Sequence, residues 1–130
     1  MRSLSRIPIR IAFEGVGEYE GEFVRFYAPI TVQQLLKLLP IEGAIAKWDY
    51  AVYFQIDLRR GAEREVKQVR AGDILYWPPS QYLVIAYKDA IPPAQMVRVG
   101  RLKGDFSRLE DLRPGAVSYT HLTLPTTERV

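Results

Sequence analysis

The sequence has no cysteine and one histidine, His121. The first absence removes disulfides, thiolate metal sites and a cysteine nucleophile. The second removes more, because His121 lies in VSYTHLTLPT, Val117 to Thr126, whose reverse translation resembles a transposon-based sequencing adapter. That stretch reads as adapter sequence at the end of a truncated gene, which makes residues 1–116 one domain and 117–130 a non-native tail that adds little to stability; the alternative is a natural threonine-rich terminal strand. Without His121 there is no imidazole for Ser-His-Asp catalysis, histidine-ligated metal chemistry or general acid–base work. No metal site and no cofactor is expected.

Long hydrophobic runs are also missing. No apolar stretch approaches the roughly 20 residues of a membrane span, and Met1 to Ser5 lacks the apolar run of a signal peptide. No membrane association is expected, and the cytoplasm is the expected location. Charge of one sign is not concentrated either: the formal net charge is +3, with basic and acidic residues interleaved. A nucleic-acid footprint is a clustered basic stripe, so nucleic acid is not an expected partner. No phosphate loop, internal repeat or committed carboxylate pair is present.

What is present fits one ordinary domain, 48% hydrophobic and 25% charged. Its centre is Ala71 to Tyr87, AGDILYWPPSQYLVIAY. Gly72-Asp73 is a turn pair in which Asp73 bonds its own turn, and two apolar runs flank the break at Pro78-Pro79. Prolines cannot donate to a ladder, so this is strand, loop, strand, with Trp77 at the rim. The near-continuous second run suits a strand covered on both faces or a barrel wall.

Upstream, Ile7, Ile9, Ile11 and Phe13 alternate with less apolar residues in a first strand, and Tyr19 to Tyr27 is its hairpin partner. Thr31 and Gln34 fit a capping box for a helix whose Val32, Leu35, Leu36 and Leu39 share one face, a short plug for an open barrel end. Gly43 to Trp48 and Ala51 to Leu58 read as strands, the latter with Val52, Phe54, Ile56 and Leu58 on one face and Tyr53, Gln55 and Asp57 on the other. Arg59 to Arg70, with five basic and two acidic residues, reads as a solvated loop or edge hairpin. Met96 to Leu102 is a further strand, and Ser107 to Leu112 a helical turn. The pattern predicts a mainly β protein, a closed antiparallel β-barrel with one or two short plugging helices.

Trp48, Tyr50, Tyr53, Phe54, Tyr76, Trp77, Tyr82 and Tyr87 crowd into one half of the chain. They either build the core or line a groove for a peptide or small ligand. The groove reading names Tyr53, Gln55, Trp77, Pro78 and Gln81 as candidate ligand-binding residues.

The motif GDxxYWPP before an apolar strand, with the Leu39-Pro40-Ile41 helix exit and the Trp48 to Phe54 hairpin, resembles the small prokaryotic cyclophilin-like proteins over Ile7 to Gly115. The resemblance implies a cyclophilin-type barrel and a final strand after Pro114-Gly115, a place that Val117, Tyr119 and Leu122 could partly fill. Cyclophilins isomerise prolyl bonds with an arginine on a strand patterned aromatic, histidine, arginine, isoleucine. Placed on that strand, Tyr53-Phe54-Gln55-Ile56 puts Gln55 at the arginine position, and a neutral amide lacks the charge that draws electrons from the prolyl nitrogen. Arg59 and Arg60 lie close by in sequence. Two functions follow as expectations: a module binding a peptide or small ligand, and alternatively a peptidyl-prolyl isomerase or other small enzyme.

Overall fold

The computed structural model describes residues 5–122. The alternation of Ile7, Ile9, Ile11 and Phe13 buries one face of β1 (Arg6–Phe13), which pairs antiparallel with β2 (Gly17–Val24) through a turn at Gly15. Helix α1 (Pro29–Leu38) follows a 3₁₀ turn at Arg25–Tyr27. Next come β3 (Ile41–Ala44), β4 (Ala46–Lys47), β5 (Ala51–Gln55), β6 (Asp73–Trp77), β7 (Tyr82–Ala86), β8 (Val97–Leu102) and β9 (Val117–Leu122). All pairings are antiparallel, in the order β3-β9-β1-β2-β8-β6-β7-β5-β4. The two end strands are consecutive in sequence, with Ile45 alone between them, so the chain itself spans the gap. The result is a nearly closed barrel, 44% strand against 18% helix.

Inward residues of the strands, among them Ile9, Ile11, Phe23, Phe54, Ile74, Tyr76, Leu83 and Ile85, make the main core, and Val32 and Leu35 of α1 complete it. Leu75, Val84 and Ala86 point outward and form a second, smaller core with Val69 and Met96. Strands β6 and β7 are therefore covered on both faces, which is why their sequence is continuously apolar. Where β2 and β8 meet, a Cβ on Gly100 would stand 2.1 Å from the Glu22 carbonyl oxygen, so only glycine permits that approach.

The helix start differs from expectation. Thr31 is buried inside α1 rather than capping it, and Ala28 at the N-cap offers no side chain for the task. The free N–H groups are satisfied from afar: Ile30 and Thr31 donate to the Glu63 carboxylate at 3.1 and 2.8 Å, and the Thr31 hydroxyl donates to it at 2.9 Å. Glu63 belongs to the polar run Arg59 to Arg70, which is thus no mere solvated loop. In the same run Arg64 donates to the Phe26 carbonyl, and Val69 is fully buried.

The terminal segment differs from expectation in its facing. Residues 117–122 lie within the sheet, bonded to β1 on one side and β3 on the other, while 123–130 fall outside the described residues. Their facing is reversed: Tyr119 and Leu122 are exposed, and Ser118 and Thr120 are fully buried. The Ser118 and Thr120 hydroxyls have no hydrogen-bond partner among the described residues. A buried hydroxyl without a partner costs stability.

Two outcomes follow. Replacing Thr120 by Val removes an unpaired hydroxyl at nearly constant volume and should raise the urea unfolding free energy by about 1 kcal/mol, whereas a loss would show that the hydroxyl is satisfied. Burial alone would raise the Glu63 pKa, but the Thr31 and Ile30 N–H groups, the Thr31 hydroxyl and the Arg60 charge outweigh it and hold the carboxyl below its ordinary range. With the folded value below the unfolded one, the stabilisation is complete above about pH 4.3 and is lost as pH falls through the folded value. Glu63→Gln should thus cost about 0.5–2 kcal/mol at neutral pH, and the gap from the parent should narrow on acidification. A gap unchanged near pH 3 would contradict the cap.

Candidate functional site

The outward residues of β6 are Asp73, Leu75 and Trp77, and they set up two environments on one face. At the Trp77 end, cross-strand pairing brings aromatic rings together. Trp77 lies opposite Tyr82, and Tyr82 lies opposite Gln55, so Trp77, Tyr82, Tyr53 and Gln55 share the outer surface of three adjacent strands. Trp48 lies over Tyr53 at 4.4 Å between ring centroids, and Tyr53 over Tyr82 at 4.5 Å. Trp77 closes the row at 5.9 Å from Tyr82 and meets the edge of Trp48 at 5.7 Å. The Trp77 indole N–H donates to the Ala94 carbonyl at 3.0 Å, which fixes the ring against the segment before β8.

Beyond Trp77, Pro78 opens a 3₁₀ turn through Ser80, and Gln81, left-handed at φ 59°, sends the chain back into β7. The Gln55 amide donates to the Ser80 carbonyl at 3.4 Å. Gln55, Ile56, Asp57, Arg59 and Gln81 line an open cavity of about 390 Å³. Of the residues singled out in the sequence, Gln55 and Gln81 thus share a cavity, Tyr53 and Trp77 share an aromatic row beside it, and Pro78 lies on the turn between. The rings are half-buried against one another and do not line the cavity. Arg59 shares the cavity with Gln55, so a guanidinium does stand near the position where the resemblance implies one.

Tyr50 extends the row, with Trp48 at 5.7 Å. Burial pushes the Tyr50 phenol up from its ordinary pKa, and its hydroxyl is buried without a partner among the described residues.

At the other end of β6, Asp73 is fully buried. It bonds its own turn as the sequence suggests, accepting from the Arg70 N–H at 2.9 Å. It also accepts from Arg98 Nε at 3.1 Å and Arg101 Nη1 at 2.5 Å, which the sequence reading did not foresee. Arg98 and Arg101 are three residues apart, a spacing that puts side chains on opposite faces of a regular strand. Here β8 slips its register: Arg101 opposes Asp73, Gly100 opposes Ile74, and Arg98 opposes Leu75, leaving Val99 as an extra residue. That bulge brings both arginines to the outer face.

Among the described residues no three His, Cys, Asp or Glu side chains are grouped to hold a metal, and no helix is long and apolar enough to cross a membrane. Residues 7–118 match the cyclophilin-like family. The chain belongs to that family. A hypothetical protein from Archaeoglobus fulgidus, known from a solution structure, is 23% identical, with a TM-score of 0.75 over 94% of this chain and 98% of its own. McbB, solved in complex with tryptophan, is 14% identical, with a TM-score of 0.68 over 94% of this chain and 46% of its own. These two likenesses concern the fold. No curated protein matches the chain in sequence.

Proposed function

We propose that this cyclophilin-like barrel is a binding module, taking a flat aromatic or proline-containing group against the edge of the Trp48, Tyr53, Tyr82 and Trp77 row. Gln55 and Gln81 would anchor its polar part. The observation that carries this is the pairing of Gln55 with Tyr82, which sets the amide-lined cavity at the end of the stacked rings. Such a combination of apolar faces and a few converging amides is how small-ligand sites fix orientation, and about 390 Å³ lies within the usual size range. McbB, of similar fold, was solved with tryptophan, a ligand of this chemical kind.

Arg59 gives the isomerase reading its one support. Prolyl rotation faces a barrier of roughly 18–20 kcal/mol, and a cation at the prolyl nitrogen would help to lower it. The Arg59 cavity is open and also holds Asp57, so water and a carboxylate weaken that charge. Binding needs no group that the site lacks.

Free tryptophan and a short Ala-Pro-Phe peptide should each perturb backbone amide signals of residues 53–55, 77 and 80–82 in an NMR titration. Trp77→Ala should weaken both by at least about tenfold, or 1.4 kcal/mol. Equal binding by Trp77→Ala would remove the aromatic row from the site. In a proline-switch assay the parent should not exceed the uncatalysed rate, and activity that vanishes in Arg59→Ala would replace this reading with the isomerase.

A further inference from the structure

Asp73 and Trp77 are four residues apart, about 13 Å along an extended strand. The Asp73 end opens on a separate cavity of about 590 Å³, lined by Tyr27, Lys67, Arg70, Arg98 and Arg101 together with Val66 and Gln68. Four cationic side chains thus surround one space. Acids on the surrounding segments already hold bonds of their own: Asp73 bonds the two arginines, Glu65 accepts from the Gln95 N–H at 3.1 Å, Asp89 accepts from the Ala71 N–H at 2.8 Å, and Glu22 pairs with Arg6 and Lys103.

The arginines are fixed as well as charged. Arg98 gives Nε to Asp73 and Nη2 to the Gln68 carbonyl, while its guanidinium lies 5.6 Å from the Tyr27 ring centroid. Arg101 gives Nη1 to Asp73 and Nη2 to the Ala71 carbonyl. Arg98 Nη1 and Arg101 Nε have no protein partner among the described residues. Lys67 and Arg70 are exposed, and neither side chain makes an ion pair there. Among the residues that line or directly bond the cavity's cations, Asp73 is the one acid, set against four cations.

We propose that this cavity is a binding site for a small phosphoryl-bearing anion, independent of the aromatic row. Guanidinium groups already immobilised by a buried carboxylate lose little further freedom when they accept a ligand. Their remaining N–H groups make charge-assisted hydrogen bonds, which suit phosphoryl oxygens. Lys67 and Arg70 at the rim raise the local anion concentration, since a cleft of one sign focuses its field. A multiply charged phosphoryl group suits a cavity lined by four cations better than a single carboxylate does.

Calorimetric titration with pyrophosphate, at low ionic strength, tests this directly. Pyrophosphate should bind the parent. The double variant Lys67→Gln, Arg70→Gln should bind it at least about tenfold more weakly, with the unfolding midpoint of the unliganded protein unchanged, since neither side chain supports the fold. Lys67→Gln alone should show an intermediate loss, and Trp77→Ala none, which separates this site from the aromatic one. Citrate, carrying carboxylates of comparable total charge, should bind at least about tenfold more weakly than pyrophosphate. No binding of pyrophosphate, equal affinity in the double variant, or citrate as tight as pyrophosphate would each overturn the proposal.

Discussion

The buried carboxylate of Asp73 is the interaction on which the outer face depends. A carboxylate removed from water is costly unless charges and donors meet it on every side, and here two guanidinium groups and a backbone N–H do so. The bond to Arg70 shapes the turn that launches β6, and the bonds to Arg98 and Arg101 hold β8 beside it. Gly72, just before it, has φ 93°, and a Cβ there would stand 2.8 Å from the Phe106 ring, so the turn that delivers Asp73 requires glycine. One residue thereby links a turn, a bulge and the direction of two arginines.

From that anchor the face divides by the polarity of its ends. The interior of the barrel is mainly apolar; its polar groups are the Tyr76 hydroxyl, bonded to the Leu58 carbonyl, and the buried hydroxyls of Thr31, Ser118 and Thr120. What the fold presents to other molecules lies outside, with stacked rings and amides at the Trp77 end of β6 and fixed cations at the Asp73 end. The irregular segments 56–72 and 87–96 cover the middle, where Val69 and Met96 pack on Leu75 and Val84. They separate the two environments and bury the strand between them.

Much of the fold was legible because it follows from local rules. Alternation gave β1, the Pro78-Pro79 break gave the β6–β7 connection, and unbroken apolar runs marked strands with two covered faces. What escaped depends on distant partners. Nothing near Thr31 announces that Glu63 caps the helix, and no pattern in Val97 to Leu102 announces an extra residue at Val99. The facing of β9 is set by its neighbours, so Ser118 and Thr120 point inward despite their polarity. For the site, sequence could group Tyr53, Gln55, Trp77, Pro78 and Gln81 in one region. It could not tell that the rings stack on each other while the amides line a separate cavity, because that follows from the cross-strand register. Asp73, read as a turn residue, does hold its turn; its second role needed two arginines from a strand more than twenty residues away.

The central claim is that the Asp73 carboxylate, and not merely the shape of its side chain, joins β6 to β8. The direct measurement is the urea unfolding free energy of Asp73→Asn, which keeps the shape and removes the charge. Arg98 and Arg101 are partly exposed, so leaving them without their counter-charge should cost about 1.5–3 kcal/mol. A loss below about 1 kcal/mol, the range of an ordinary surface pair, would contradict the account and return Asp73 to the role of a simple turn residue.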